Sequence, residues 1–392
     1  MVGNTVTGLA SGGSSFGPVP TPDVAKLSTL QISRLSANQI GAMGADQLSL
    51  TAPQLAAVSA SAWAGMQTAT IVAFDATKTA ALGLNFAKGA GQAQIHALDF
   101  SVIGSLRTSA VAALGASQIA ALDSTQVAAL STQQVRSLSA NAISGLTYDD
   151  VVALGSDQVA AISTAAITSL DAVTLGQLTA GSTGNVRGLT AGQLGKLSST
   201  QVNSVIGKLE DSQIAGIAAA ALRQLTDTKI GAISANAVAT LTTAQVSALS
   251  ASQLSAMGTT KQDRLSANAV GAISAAAWSG ITTSAIHSLN ATQVAALGSN
   301  FFVGANASQV SALDSTNVTS VSTKAIAALN SAQISALGTA NQAALSDDQL
   351  AAINSKAWGV FPPQQSQHSR QGRLTNWALT SWRASMPASS MH

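Results

Sequence analysis

A period of eight residues runs through most of this 392-residue chain. From Gly115 to Leu146 the sequence divides into GASQIAAL, DSTQVAAL, STQQVRSL and SANAISGL. Neither an α-helix, which repeats every 3.6 residues, nor a β-strand, which repeats every two, has this period. The octad must therefore be a larger unit that is itself repeated, and this restricts the fold to a tandem array.

Two apolar ladders follow the octads. The eighth position is Leu, Ile, Met or Val, and the ladder runs unbroken over 106–178, 209–297 and 313–353. Three residues before nearly all of these lies a second apolar side chain, such as Ile119, Val127 or Val135. The two ladders supply a narrow aliphatic core along the array.

The first and fourth positions of the octad resemble the start of a helix. Ser, Thr, Asp, Asn or Gly opens most octads, and these residues favour the N-cap. Gln recurs three residues later, which predicts a capping box in which the Gln side chain reaches back to the N-cap amide. The preceding Leu and the Ile or Val at position five are then the two partners of a hydrophobic staple.

The octad therefore predicts one short helix per repeat. Seven helical residues rise roughly 10 Å, and helices under about 12 residues are marginal alone in water. They persist by packing against neighbouring octads, so we expect an all-α solenoid of very short helices. The alternative is a β-solenoid with a strand and a turn in each repeat; Gln-Val-Ala-Ala-Leu lacks the alternation and the strand-favouring residues for it.

The octads define the domain organisation. We expect a leader at 1–21, a repeat solenoid at 22–361 and an irregular basic tail at 362–392. Two register slips, within TAGSTGNVRGL and at IGKL, predict kinks or loops. A longer duplication also exists, because GLNFAKGA at 83–90 returns as GSNFFVGA at 298–305, and SASAWAGM at 59–66 returns as SAAAWSGI at 274–281.

Composition excludes several classes of function. Only 9% of the residues are charged and the formal net charge is +2, without a basic stripe, so nucleic-acid binding is not expected. The absence of Cys excludes disulfides and thiolate metal sites. No apolar run approaches the roughly 18 residues of a membrane span, and because the first residues lack a basic region followed by an apolar one, we do not expect them to form a Sec-type signal peptide.

Candidate catalytic residues are few. His96 and His287 occupy the variable sixth position without a Cys or carboxylate at ligand spacing, which predicts surface histidines. The pairs Asp149–Asp150 and Asp347–Asp348 fall in first helical turns, where they complement the helix dipole. No nucleotide-, hydrolase- or metalloprotease-type motif occurs, so we expect neither an enzyme nor a bound cofactor or metal.

Tryptophan supplies the candidate interaction residues. Trp63, Trp278 and Trp358 each follow an alanine and take the fifth position of an octad. They could line a stacking groove for a ligand, or fill the core opposite small neighbours. Trp377 and Trp382 in the basic tail complete the set, and the tail itself could be a docking peptide, a disordered segment or a remnant.

The pattern of Ser or Thr, two variable residues, Gln, Ile or Val, one variable residue, Ala and Leu resembles a known style of repeat. It is similar to the short Gln-Val-Ala-Ala-Leu repeats of low-charge bacterial proteins that are secreted or displayed on the cell surface. The resemblance implies a structural or adhesive protein, extracellular or at the cell surface. Because a solenoid exposes apolar surface at its ends and this chain carries little charge, we expect self-association into fibres or a surface layer. The alternative is a secreted binding module that presents its repeats to a host protein, a glycan or ice.

Overall fold

Short helices dominate the structure. The computed structural model describes residues 5–6, 19–180, 185–354 and 357. Among these residues the strands are Thr5–Val6 and Val19–Pro20, which pair antiparallel, and the α- and 3-10 helices are three to seven residues long. The predicted all-α solenoid of short helices is confirmed, and the β-solenoid alternative is wrong.

Octads that carry the full capping pattern fold as it predicts. In Ser131–Leu138 the N-cap Ser131 is extended (φ −69°, ψ 156°), and the helix covers Thr132–Ser137. The Ser131 amide donates to Gln134 Oε1 at 2.7 Å, and the Gln134 amide donates to Ser131 Oγ at 3.2 Å. Leu138 is extended again (φ −63°, ψ 132°), so two consecutive extended residues bend the chain between helices. This bend makes most helices shorter than the octad pattern predicts.

The complete capping box recurs along the chain. It forms where the N-cap side chain is Ser, Thr, Asp or Asn and the third helical residue is Gln or, once, Asp. The N-cap residues are Ser28, Ser36, Asp123, Ser131, Thr147, Thr190, Ser198, Thr242, Ser250, Asn290, Asn306, Asn330 and Ser346.

The chain divides into two compact units, Met1–Leu209 and Glu210–His392. In unit 1 a helix packs on the helix three octads later, so the helices form three stacks. Stack 1 contains Thr21–Lys26, Gly44–Ser49, Thr68–Val72, Gln92–His96, Ala116–Ile119, Ala140–Ile143 and Ile167–Ser169. Stack 2 contains Thr29–Ser33, Ala52–Ala57, Ala76–Ala81, Phe100–Ile103, Ser124–Ala128, Tyr148–Ala153, Ala172–Gly176, Gln177–Thr179 and Ser199–Val205. Stack 3 contains Ala37–Ala42, Ala60–Gly65, Leu84–Gly89, Thr108–Val111, Thr132–Ser137, Ser156–Ala161 and Asn185–Gly188; the remaining helices are Ala191–Leu194 and Ile206–Lys208.

Unit 2 repeats this arrangement with three stacks of its own. Stack 4 contains Asp211–Ile214, Ala235–Ala239, Thr259–Gln262, Thr283–His287, Ala307–Ser311 and Ser331–Ala336. Stack 5 contains Ala219–Arg223, Thr243–Ala248, Ala267–Ala272, Ala291–Ala295, Val318–Ser320 and Gly338–Ala344. Stack 6 contains Asp227–Ala232, Ala251–Met257, Ala275–Gly280, Ser299–Gly304, Thr323–Ile326 and Asp347–Ala352. One coil in either unit therefore consists of three helices.

The core lies inside the coils and is built from the two ladders. Val135 and Leu138, the staple residues of neighbouring octads, are 1% and 4% exposed, and the same two positions are buried along both units. Each helix is too short to be stable by itself, so burial of these aliphatic side chains supplies the stabilisation that helix propensity cannot.

The fourth-position Gln links one coil to the coil before it. Its Oε1 accepts from the N-cap amide, while its Nε2 donates to backbone carbonyls 28 and 31 residues earlier, as when Gln134 bonds Ile103 O at 3.0 Å and Leu106 O at 2.7 Å. The helix packs on the octad three repeats earlier, and these carbonyls belong to the octad that precedes that one in the sequence. Both separations recur at Gln94, Gln118, Gln158, Gln245, Gln253, Gln309 and Gln349. A buried polar side chain is thereby satisfied at both ends.

Glycine at the seventh position permits close contact between coils. A Cβ on Gly145 would lie 2.2 Å from the carbonyl oxygen of Ala116 in the coil below, and a Cβ on Gly65 would lie 1.9 Å from that of Ala37. No other residue fits there without displacing backbone.

The two register slips are absorbed locally. After the first slip the chain re-enters stack 3 as Asn185–Gly188, where Asn185 Nδ2 donates to Val152 O at 2.9 Å. At the second slip the added residues form one further 3-10 turn, Ile206–Lys208, and unit 1 ends directly after it at Leu209. Nowhere in the described residues is a helix long and apolar enough to cross a bilayer.

Candidate interaction site

A groove of about 550 Å³ opens on the surface of unit 1, between stacks 1 and 2. Val72 and His96 end two helices of stack 1, and Asp99 and Asp123 are the N-caps of two helices of stack 2. Phe100, the first helical residue after Asp99, completes the wall. The groove is therefore assembled from four octads, two of them consecutive and the others from the coils before and after, and its volume is typical of a ligand site.

The groove combines two carboxylates with exposed apolar surface. Asp99 accepts from the hydroxyl of Ser101 at 2.5 Å and from the Ser101 amide at 2.7 Å, through one carboxylate oxygen. Asp123 uses one oxygen for the Thr125 hydroxyl at 2.5 Å and the Gln126 amide at 2.8 Å. The second oxygen of each carboxylate has no hydrogen-bond partner among the described residues.

These hydrogen bonds stabilise the ionised form of both carboxylates. The Ser101 hydroxyl, followed by the Ser101 amide, lowers the pKa of Asp99 from its ordinary value. For Asp123 the Thr125 hydroxyl is the main cause of the lowered pKa, with smaller contributions from the Gln126 amide and from His96. Phe100 and Val72 are 57% and 56% exposed beside them. The groove thus presents negative charge next to an aromatic and an aliphatic side chain.

His96 lies at the surface, as its position in the octad predicts. Its Nδ1–H donates to the carbonyl of Ala121 at 3.0 Å. The sequence shows no carboxylate at ligand spacing, but the coil brings Asp123 close enough for His96 to lower the pKa of its carboxyl group. The same sequence spacing recurs at His287 and Asp314, where His287 also contributes to a lowered pKa of the carboxyl group. No group of metal-ligating residues is present in the part of the chain that the structure describes.

Two of the tryptophans lie in the core. Trp63 and Trp278 are 0% and 2% exposed. Trp63 packs edge to face on Phe86 at 4.9 Å between ring centroids, and Trp278 packs in the same way on Phe301 at 4.8 Å. Of the two interpretations, core filling agrees with this burial, and a stacking groove for a ligand does not. Trp358, Trp377 and Trp382 lie outside the described residues.

The matching Trp–Phe pairs come from the two copies of the long duplication. In both copies Phe replaces Gln at the fourth position of the octad, and an aromatic pair takes the place of the polar bridge between coils. The duplicated sequence blocks therefore keep the same packing in each unit.

The paired aspartates occupy first helical turns, as predicted, in Tyr148–Ala153 and Asp347–Ala352. Asp150 has a further role that the sequence analysis missed. It replaces the Gln of the capping box, and its Oδ2 accepts from the Thr147 amide at 2.8 Å and the Thr147 hydroxyl at 2.7 Å. Burial raises the pKa of Asp150, and repulsion from Asp149 and Asp123 adds to the increase. Its place in the octad, three residues after a Thr cap, was the available signal.

Comparison with known proteins identifies the repeat. A family model described as the ALTTAQ repeat matches residues 95–132 and 128–164. The model's name contains the ladder Leu, two Thr and the box Gln, and LTTAQ occurs in this chain at 241–245. No curated protein matches the sequence. The chain is a tandem short-repeat protein that carries at least two adjacent ALTTAQ repeats.

Proposed function

We propose that the chain is a structural protein whose repeat units self-associate into extended assemblies, with an adhesive or scaffolding role. The polar side chains that recur along the octads serve the array itself. Gln completes a cap and bridges two coils, and the Ser, Thr or Asp before it caps the helix. Such a chain presents a repeated, low-charge surface, which offers little electrostatic resistance to association.

The observation that carries the proposal is the state of Gln31 in the first described coil. Its Oε1 accepts from the Ser28 amide at 2.9 Å, as in the other boxes. Gln31 is exposed, whereas the Gln side chains that bridge coils inside the array, such as Gln134, are buried. A coil of a second copy could accept a hydrogen bond from the exposed Gln31 Nε2, and head-to-tail contacts of this kind form open filaments.

Two further parts of the proposal rest on the repeat style. We propose that the protein acts outside the cell or at its surface, and that it is not an enzyme. Surface display is tested by protease treatment of intact cells followed by detection of the chain. Complete protection of the chain in intact cells, with digestion after lysis, would contradict it.

Self-association is tested by sedimentation velocity and negative-stain electron microscopy over a range of concentrations. We expect elongated species that grow with concentration. Gln31→Ala should shift growth to higher concentration, whereas Gln133→Ala, which removes an exposed Gln from a helix inside the array, should not. A compact monomer at every concentration would contradict the proposal. Binding to a glycan array or thermal hysteresis, without self-association, would favour the binding module instead.

A further inference from the structure

The chemistry of the groove between stacks 1 and 2 fits a guanidinium group on an apolar stem. Asp99 and Asp123 each offer a free carboxylate oxygen, and Phe100 offers an exposed aromatic side chain beside them. Arginine pairs with carboxylates through a planar fork of donors and stacks on aromatic faces, while its methylene stem packs on aliphatic surface such as Val72. A neutral apolar ligand would leave both charges unpaired.

One segment of this chain has the complementary chemistry. Residues 362–392 contain Arg370, Arg373 and Arg383 and no acidic residue, so this tail accounts for the whole positive excess of a chain whose net charge is +2. Two basic side chains inside the repeats of unit 1 are used differently. Arg107 donates to Ala80 O at 2.7 Å and Lys78 donates to Leu48 O at 2.6 Å, and these cations bridge coils as the Gln side chains do.

We propose that the groove binds an arginine side chain from residues 362–392 of a second copy of the chain, and so links one copy to the next. This inference rests on the proposed self-association and names a contact that carries it. The arginine would lie between the carboxylates of Asp99 and Asp123, with Phe100 against its guanidinium plane. Every copy has one groove and one tail, so the contact repeats from copy to copy.

A second place in the chain provides a matched control. His287 and Asp314 repeat the spacing of His96 and Asp123, but Asn290 and Ala291 stand where the groove has Asp99 and Phe100. That surface has the Asp314 carboxylate at the first position of its octad, without the second charge or the ring. Binding of a ligand that needs the complete groove should therefore not change when Asp314 is replaced.

The test measures binding of a fluorescent peptide of residues 362–392 by anisotropy. The acceptor is the full chain with Arg370, Arg373 and Arg383 all changed to Gln, so that its own tail does not compete. Asp99→Asn and Phe100→Ala in this acceptor should each raise the Kd at least tenfold. Asn still caps the helix and Phe100 is exposed, so both variants keep the fold. Asp314→Asn should leave the Kd unchanged, and the peptide with three Gln should not bind.

Equal binding of the two peptides, or equal binding by the groove variants and the parent, would overturn the inference. Sedimentation velocity of the chain with its own tail unchanged distinguishes failure of this inference from failure of the proposed function. If the protein self-associates and Phe100→Ala does not weaken association, the groove contact is wrong and the proposed function stands. If the peptide binds the groove but no larger species form, the proposed function and the link between copies are both wrong, and only the recognition of the tail by the groove stands. Cross-linking of the tail only to its own groove would also overturn a contact between copies.

Discussion

Replacing Gln134 by Ala tests the bridge between coils most directly. The substitution removes the acceptor that caps Ser131 N–H, worth about 1 kcal/mol. It also removes two hydrogen bonds from Nε2, to Ile103 O and Leu106 O, at about 1 kcal/mol each. The better helix propensity of Ala returns about 0.4 kcal/mol. We expect a net loss of roughly 2 to 3 kcal/mol in the free energy of unfolding.

The matched control is Gln133→Ala, one residue earlier on the same helix. Gln133 is exposed, whereas Gln134 is 1% exposed. Changes at exposed positions of this kind alter stability by less than about 0.5 kcal/mol. Both substitutions remove the same side chain, so the difference between them isolates the buried hydrogen bonds.

The assay is urea denaturation followed by far-ultraviolet circular dichroism, with amide hydrogen exchange as a local measurement. Exchange should accelerate at Ser131, whose amide loses its acceptor, more than in distant octads of unit 1. Equal stability of the two variants, within about 0.5 kcal/mol, would refute the assignment of Gln134 as a bridge between coils.

Two further predictions concern the array. The folded pKa of Asp150 is raised above its unfolded value of about 4. The contribution of Asp150 to the free energy of unfolding is therefore complete below about pH 4 and is lost as the pH rises through the folded pKa. Asp150→Gln should remove this pH dependence and stabilise the protein by about 1 to 2 kcal/mol at neutral pH, measured by urea denaturation from pH 4 to 8; a less stable variant would contradict this. Gly145→Ala should cost about 2 kcal/mol or more because its Cβ meets Ala116 O, whereas Gly207→Ala, with open space around it, should be nearly neutral in thermal unfolding. Equal melting temperatures would show that the coils are not in close contact at Gly145.

The candidate groove was largely beyond reach of the sequence. Asp99 and Asp123 are recognisable as N-caps, and His96 as a surface residue, from their places in the octad. That they meet depends on the path of the coil, which brings together residues from successive coils. The burial of Trp63 was easier to predict from the sequence, because its place on the apolar ladder already favoured the core.

The sequence by itself determined the local structure of each repeat. Cap, box and staple involve residues within a few positions of one another, so Ser131, Gln134 and Val135 specify their helix without reference to the rest of the fold. The tertiary structure decided three further features: the number of helices in a coil, the bridging role of the Gln Nε2 and the need for Gly at position 145. These features depend on the bend that two extended residues, such as Leu138 and Ser139, make between helices. The side chains of Leu and Ser do not by themselves fix the backbone angles of that bend. Only packing of the ladders against the preceding coil selects those angles, because a helix this short cannot persist unpacked.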